Sequence, residues 1–209
     1  EVRGDVLRRG ADYLRLHLVE EETQPDLQSW MLHALAAYRN SQKGDLQMSE
    51  FEKRAFDNLW ENRDRLNAYT RAMFALSAQY YNRPEQAQTL ARNLENGVQV
   101  DKTPDTSVVM EGPQQSLASV IATAHWGAER NYRRWSEGGI EATAFALRAL
   151  LAVDPKNPLV ESSMNWLVKN RRGAQWTNTR DTSFAVLALC DYLRATGELA
   201  PELEYEVLV

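Results

Sequence analysis

Apolar residues recur along most of the chain at intervals of three and four, the spacing of helices that bury one face. Val6, Leu7, Tyr13, Leu14 and Leu18 mark a first amphipathic helix, and Leu27, Trp30, Met31, Ala34, Leu35 and Tyr38 a second. Pro25 and Asp26 suit the first turn of that second helix, because a first turn leaves its amides unbonded and proline has none to lose. A third helix carries Phe51, Ala55, Leu59 and Trp60; Ser49 before it and Glu52 three residues on form a capping-box pattern. Tyr69, Ala72, Met73, Leu76 and Tyr80 define a fourth. Pro84 opens a fifth with Ala87, Leu90, Ala91 and Leu94, and Asn96-Gly97 stops it.

The period then fails. From Val98 to about Gly139 the chain holds prolines, glycines and β-branched pairs such as Val108-Val109 and Val120-Ile121. Residues Ala122 to Trp135, with His125, Trp126, Tyr132 and Trp135 among polar neighbours, read as a short hairpin or irregular loop. Helical spacing returns in Ala142, Phe145, Ala146, Ala149, Leu150 and Val153, before Pro155. Leu159, Met164, Leu167 and Val168 form the next helix, and Asp181 is expected to cap a last one with Phe184, Ala185, Leu187, Ala188 and Leu193.

Consecutive helices on short links predict a stack of antiparallel helical hairpins. Ala144 to Leu151 and Phe184 to Cys190 are apolar on most sides, so those helices belong to an inner layer; Glu50 to Arg63, with one apolar face, belongs outside. Alternating inner and outer helices describe an all-α chain folded as an α/α toroid, here incomplete, with a small irregular or β-hairpin insertion near residues 98–139. A superhelical array of helix pairs is the other architecture this pattern allows.

Composition narrows the functions. The net charge of -5 argues against a nucleic-acid surface, which needs clustered Lys and Arg. The densest basic stretches, Arg130 to Arg134 and Lys169 to Arg172, are short and interrupted. No run approaches the roughly 18 apolar residues of a membrane span. The single cysteine, Cys190, forms no intrachain disulfide and no cysteine-based zinc site. His17 and His33 have no partner at metal-ligand spacing, so neither a metal nor another cofactor is expected.

Two stretches carry a family resemblance. Gly138-Gly139-Ile140-Glu141-Ala142-Thr143-Ala144-Phe145-Ala146-Leu147 is similar to the "valine, glutamate, threonine, alanine, tyrosine, alanine, leucine" helix of complement and alpha-2-macroglobulin thioester domains. Asn165 to Gly173, followed by Trp176-Thr177-Asn178-Thr179-Arg180-Asp181-Thr182, resembles that family's tryptophan-leucine segment, basic loop and "serine-threonine-glutamine-aspartate-threonine" run. His125-Trp126-Gly127 is similar to a His-Trp-Gly found before that helix in bacterial members.

The resemblance covers the later two-thirds of the family's domain. It implies that residues 1–203 are part of such a domain and that 204–209, the alternating Glu204 to Val209, start a strand of a following β-sandwich. It further implies a large bacterial alpha-2-macroglobulin-like parent, periplasmic, at the cell surface or extracellular, that inhibits endopeptidases by trapping them. The expected partners of this piece are the other domains of the parent, with proteases as the parent's targets.

The family's thioester joins a cysteine to a glutamine three residues later. Cys190 is followed by Asp191, Tyr192 and Leu193, so no such bond forms here, and a Cys-Gly-Glu-Gln turn is expected only before residue 1. The chain is therefore expected not to be an enzyme. His125 invites a catalytic role, but an aromatic-flanked, hydrogen-bonded histidine is the simpler reading. The residues able to form a recognition surface at the loop rim are His125, Trp126, Trp135, Glu141, Trp176, Arg180 and Asp181. A carbohydrate-active toroid enzyme is the alternative, and needs opposed carboxyls, such as Glu141 and Asp181, in a cleft lined by Trp126, Trp135 and Trp176. A helical-repeat interaction module is another.

Overall fold

The structure, a computed structural model, describes residues 2–42, 47–102, 122–128 and 138–197. Among them are eight α-helices: α1 (Gly4–His17), α2 (Pro25–Ser41), α3 (Glu50–Glu61), α4 (Ala68–Tyr80), α5 (Pro84–Glu95), α6 (Gly139–Val153), α7 (Leu159–Lys169) and α8 (Thr179–Thr196). Two three-residue strands, β1 (Gln99–Asp101) and β2 (Thr123–His125), pair antiparallel with Gln99 opposite His125. The even-numbered helices pack side by side in chain order, α2 on α4, α4 on α6 and α6 on α8. The odd-numbered ones lie outside: α1 and α3 against α2, α5 across α4 and α6, and α7 across α6 and α8. This is the alternation of an incomplete α/α toroid.

The sequence explains which helices go inside. α4 buries Tyr69, Thr70 and every residue from Ala72 to Ala78; α6 buries nearly all of Gly139 to Leu150. Helices apolar on all sides need neighbours on all sides. α3 buries one face only, through Glu52, Ala55, Phe56 and Leu59, and so lies outside. Phe145 is the centre of the inner layer. Its ring meets Trp30 of α2 at 6.1 Å, His33 of α2 at 5.9 Å, Tyr69 of α4 at 5.2 Å and Phe184 of α8 at 5.0 Å between centroids. Trp30 also meets Phe184 at 5.7 Å, which brings α2 and α8 together beside Phe145.

Local chemistry sets the joints. Ser49 and Glu52 make both bonds of the capping box. Glu52, fully buried, also accepts from Arg39 Nε at 2.9 Å, Arg39 Nη2 at 2.7 Å and the Tyr81 hydroxyl at 3.1 Å, tying α2, α3 and the end of α4 together. Burial pushes the Glu52 carboxyl up, but the Arg39 and Ser49 bonds outweigh it and hold the group below the usual range. After α4, Asn82 takes the left-handed conformation (φ 55°), and amides 82 and 83 bond back to Gln79 and Ala78 in a Schellman turn that delivers Pro84 to the start of α5.

Two expectations are corrected. Asn178, not Asp181, caps α8: its side chain accepts from the Asp181 amide, and Asp181 sits in the first turn. Asparagine and aspartate cap equally well, and a carboxylate is also favoured within a first turn, so the two readings compete from sequence. α8 is inner but not surrounded. It buries only Asp181, Ala185, Ala188 and Tyr192, while Val186 and Leu187 stay nearly half exposed, because among the described residues it ends the row. The insertion near residues 98–139 holds the expected short hairpin, in which Thr123–His125 pairs with Gln99–Asp101. Val108-Val109, Val120-Ile121, Tyr132, Trp135 and Glu204 to Val209 lie outside the described residues.

Candidate functional site

The inner helices start at the same end of the layer, and their first turns meet there. At α2, Asp26 accepts from Asn67 Nδ2 at 3.0 Å and from the Thr70 hydroxyl, both at the start of α4. At α6 and α8, Glu141 Oε1 pairs with Arg180 Nε at 2.8 Å. Tyr69 of α4 completes the cluster: burial pushes its hydroxyl up, the Glu141 charge adds to that, and Arg180 counters it by charge and hydrogen bond. Acidic groups are stabilised by the positive ends of helices, which is why Asp26, Glu141 and Asp181 all occupy first turns.

Glu141 and Asp181 are each only 4% exposed. Burial pushes the Glu141 carboxyl up to about 7; Arg180 opposes the rise and the charge of Asp181 reinforces it. Asp181 is also raised by burial, against a hydrogen bond from Thr177 and the Arg180 charge, and it accepts from Asn178 Nδ2 at 3.0 Å. Among the described residues Glu141 Oε2 has no hydrogen-bond partner. The structure thus brings together Glu141, Arg180 and Asp181 and adds Tyr69 and Asp26, which the sequence reading had assigned to helix packing and a first turn. The signal that finds them is the alternation itself: if even helices are inner and parallel, residues 26, 69, 141 and 181 share one end.

The aromatic candidates go elsewhere. Trp126 is completely buried, donating from Nε1 to the Leu94 carbonyl at 2.7 Å, while its backbone amide donates to Thr143 Oγ1 at 3.1 Å. Trp176 is buried with Nε1 on the Leu167 carbonyl at 2.9 Å, and its amide donates to Thr182 Oγ1 at 3.0 Å. Both indoles pin loops to helices and offer no open ring for a sugar to stack on. His125 stacks flat on Trp166 of α7, 4.6 Å between centroids at 9°. Trp135 lies outside the described residues.

No group of three or more metal-ligating side chains occurs among the described residues. One open groove of about 350 Å³ runs between α5 and the end of α6, lined by Gln88, Ala91, Arg92, Glu95, Val153, Asp154 and Asn157. A wider shelf on α3 presents Glu22, Glu50, Lys53, Arg54, Asp57, Asn58 and Glu61. Neither touches Glu141, Asp181 or a tryptophan. Cys190 is half-buried on α8. No described helix is long and apolar enough to cross a membrane.

The family model for the A-macroglobulin TED domain matches residues 18–192. No curated protein and no solved structure matches the chain.

Proposed function

Since the chain belongs to the A-macroglobulin TED-domain family, we propose that it is a non-catalytic helical domain of a bacterial alpha-2-macroglobulin-like protein that inhibits endopeptidases by trapping them. The match over residues 18–192, from the end of α1 into α8, carries this reading. In the trap, a protease cuts a susceptible segment elsewhere in the protein, the protein rearranges around it, and this domain is carried as a rigid body. The aromatic packing of its inner layer around Phe145 suits such a role. Phe145 packs against Tyr69 and Phe184 at the centre of that layer.

Two features of the chain support the non-catalytic reading. Cys190 has Leu193, not glutamine, three residues on, so it has no acyl partner in its own turn. Glu141 and Asp181 are neighbours, as a paired-carboxylate hydrolase would need, but Arg180 pairs with Glu141, Asn178 and Thr177 bond Asp181, and neither carboxyl lines the groove beside α5 or the shelf on α3. Such a protein would be exported, to the periplasm or cell surface, where foreign proteases are met.

The test uses the full-length protein. It is incubated with an endopeptidase, and residual activity is read on a small chromogenic peptide and on a large protein substrate. Trapping leaves the small substrate cleaved and the large one protected. Equal loss of both, or of neither, would remove the inhibitor reading. Methylamine incorporation with release of one thiol, read by mass spectrometry, distinguishes a covalent trap from a purely steric one.

A further inference from the structure

The turn between α7 and α8 gathers cations that the domain itself does not use. Lys169, Arg171 and Arg172 fall within four residues, and all three are exposed. Among the described residues none of their side chains makes an ion pair or a hydrogen bond. Other cations of α6 and α8 are engaged, Arg180 with Glu141, and Arg148 and Arg194 with Asp191. The carboxylates are engaged or distant too. Asp181 is bonded by Asn178 and Thr177, and Glu161 lies in the first turn of α7, about 12 Å along the helix from Lys169. Three positive charges are thus concentrated on a chain whose net charge is -5.

The turn is held in shape at both ends. Asn170 Nδ2 donates to the Trp166 carbonyl at 2.9 Å. On the far side Trp176 is pinned by its indole to the Leu167 carbonyl and by its amide to Thr182. Between them Arg172 and Gln175 exchange main-chain bonds of 2.8 and 3.4 Å. Gly173 takes a φ of 65°, which glycine supplies at the first central position of a two-residue turn. Cations on a tethered turn lose less freedom on meeting a ligand than cations on a loose loop. Beside them Val168, in the last turn of α7, is 48% exposed.

We propose that this turn is a docking surface for a polypeptide segment rich in aspartate and glutamate that carries an aliphatic residue among its acids. Its carboxylates pair with Lys169, Arg171 and Arg172, the two guanidinium groups each offering a planar fork that matches a carboxylate. Its aliphatic side chain covers Val168. The inference goes beyond protease trapping and does not depend on it. Charge and size select a peptide over other anions. A nucleic acid or a sulfated polysaccharide repeats its charge along its length, and would run from three cations onto a domain of net negative charge. An anionic bilayer needs a broader basic face and meets the same repulsion. A short acidic segment needs no more than the turn presents, and its aliphatic residue gives Val168 a partner.

The test is an NMR titration of the ¹⁵N-labelled 209-residue chain with a short peptide of glutamates bearing one central leucine. The main-chain amides of residues 168–175 should shift and saturate below about 1 mM peptide, while those of α3 stay still. Arg171→Gln with Arg172→Gln, both at exposed positions, should weaken binding about tenfold. Arg8→Gln with Lys156→Gln removes as much exposed charge elsewhere and should change it by less than about twofold. Serine in place of the peptide's leucine should weaken binding about threefold. The surface is overturned if the peptide shifts no amide of the turn, if the Arg171 and Arg172 double variant binds as well as wild type, or if serine serves as well as leucine. It is equally overturned if a heparin-derived hexasaccharide or phosphatidylglycerol vesicles shift those amides more strongly than the peptide does. Shifts of the same amides with protein concentration alone would make a second copy the occupant and overturn it too.

Discussion

Replacing Glu141 by glutamine keeps the side chain's shape and removes its charge. The wild-type carboxyl is raised from 4.5 to about 7, chiefly by burial. A group whose folded value lies above its unfolded value stabilises fully below the unfolded value, and that stability is lost as pH rises through the folded one. At about 1.4 kcal/mol per tenfold change in proton affinity, the full effect is about 3 kcal/mol, of which about 2.5 kcal/mol falls between pH 5 and pH 8. Glutamine has nothing to titrate. The stability of wild type minus that of Glu141→Gln, from urea unfolding at each pH, should therefore fall by about 2.5 kcal/mol across that window. Taking the difference cancels the histidines and the other carboxyls, which titrate in both proteins. In melting temperature this is roughly 5–10 °C for a chain of this size. At pH 8 the variant should be no less stable than wild type, despite losing an ion pair at 2.8 Å, because the desolvated charge costs more than the pair returns. Parallel pH profiles for the two proteins would refute the reasoning.

Other substitutions test other parts of the structure. Phe145→Ala removes the ring that α2, α4 and α8 share and should cost about 3–5 kcal/mol by urea unfolding, whereas Leu187→Ala, on the exposed side of α8, should stay within about 0.5 kcal/mol. Arg39→Met strips buried Glu52 of its two-pronged partner and should cost about 3–5 kcal/mol. With Arg39 present, Glu52 contributes stability that is present above its ordinary value and lost on acidification. Without Arg39 burial is expected to dominate, so the loss measured by thermal melts should be larger at pH 8 than at pH 5. Gly139→Ala places a Cβ 3.0 Å from the Ala128 carbonyl oxygen and 3.2 Å from the Trp166 ring, and should destabilise by about 1–3 kcal/mol in the same assay. Trp126→Phe leaves the Leu94 carbonyl without its indole donor and should cost about 1–3 kcal/mol.

The helices were legible because each announces itself by period and by its ends: Pro25, Ser49 with Glu52, Pro84 and Asn96-Gly97 lie at the boundaries the structure has. The inner and outer assignment was legible for α6 and α3, since apolar coverage of a helix surface counts its neighbours. It misled for α8, where apolar residues at Val186 and Leu187 face outward; coverage reports what a helix can bury, not what lies beside it. The hairpin was legible as a break in period near residues 98–139, but its register was not, because the partner strand lies more than twenty residues away. At the candidate site, Glu141, Arg180 and Asp181 were visible as unusual polar residues beside a recognised motif. Their mutual pairing was not, because it depends on α6 and α8 lying side by side. Trp126 and Trp176 were singled out for their size and polar tips. Burial absorbed both, each indole N–H finding a main-chain carbonyl inside the protein.

Hydrogen exchange on the full-length protein, before and after an endopeptidase cuts it, tests most directly whether this domain travels through trapping as a rigid body. The amides of α4 and α6, closed in around Phe145, should keep their full protection after cleavage while segments outside the domain change. Loss of protection in α4 and α6 on cleavage would contradict that: the inner layer would then be opening during the reaction rather than being carried through it.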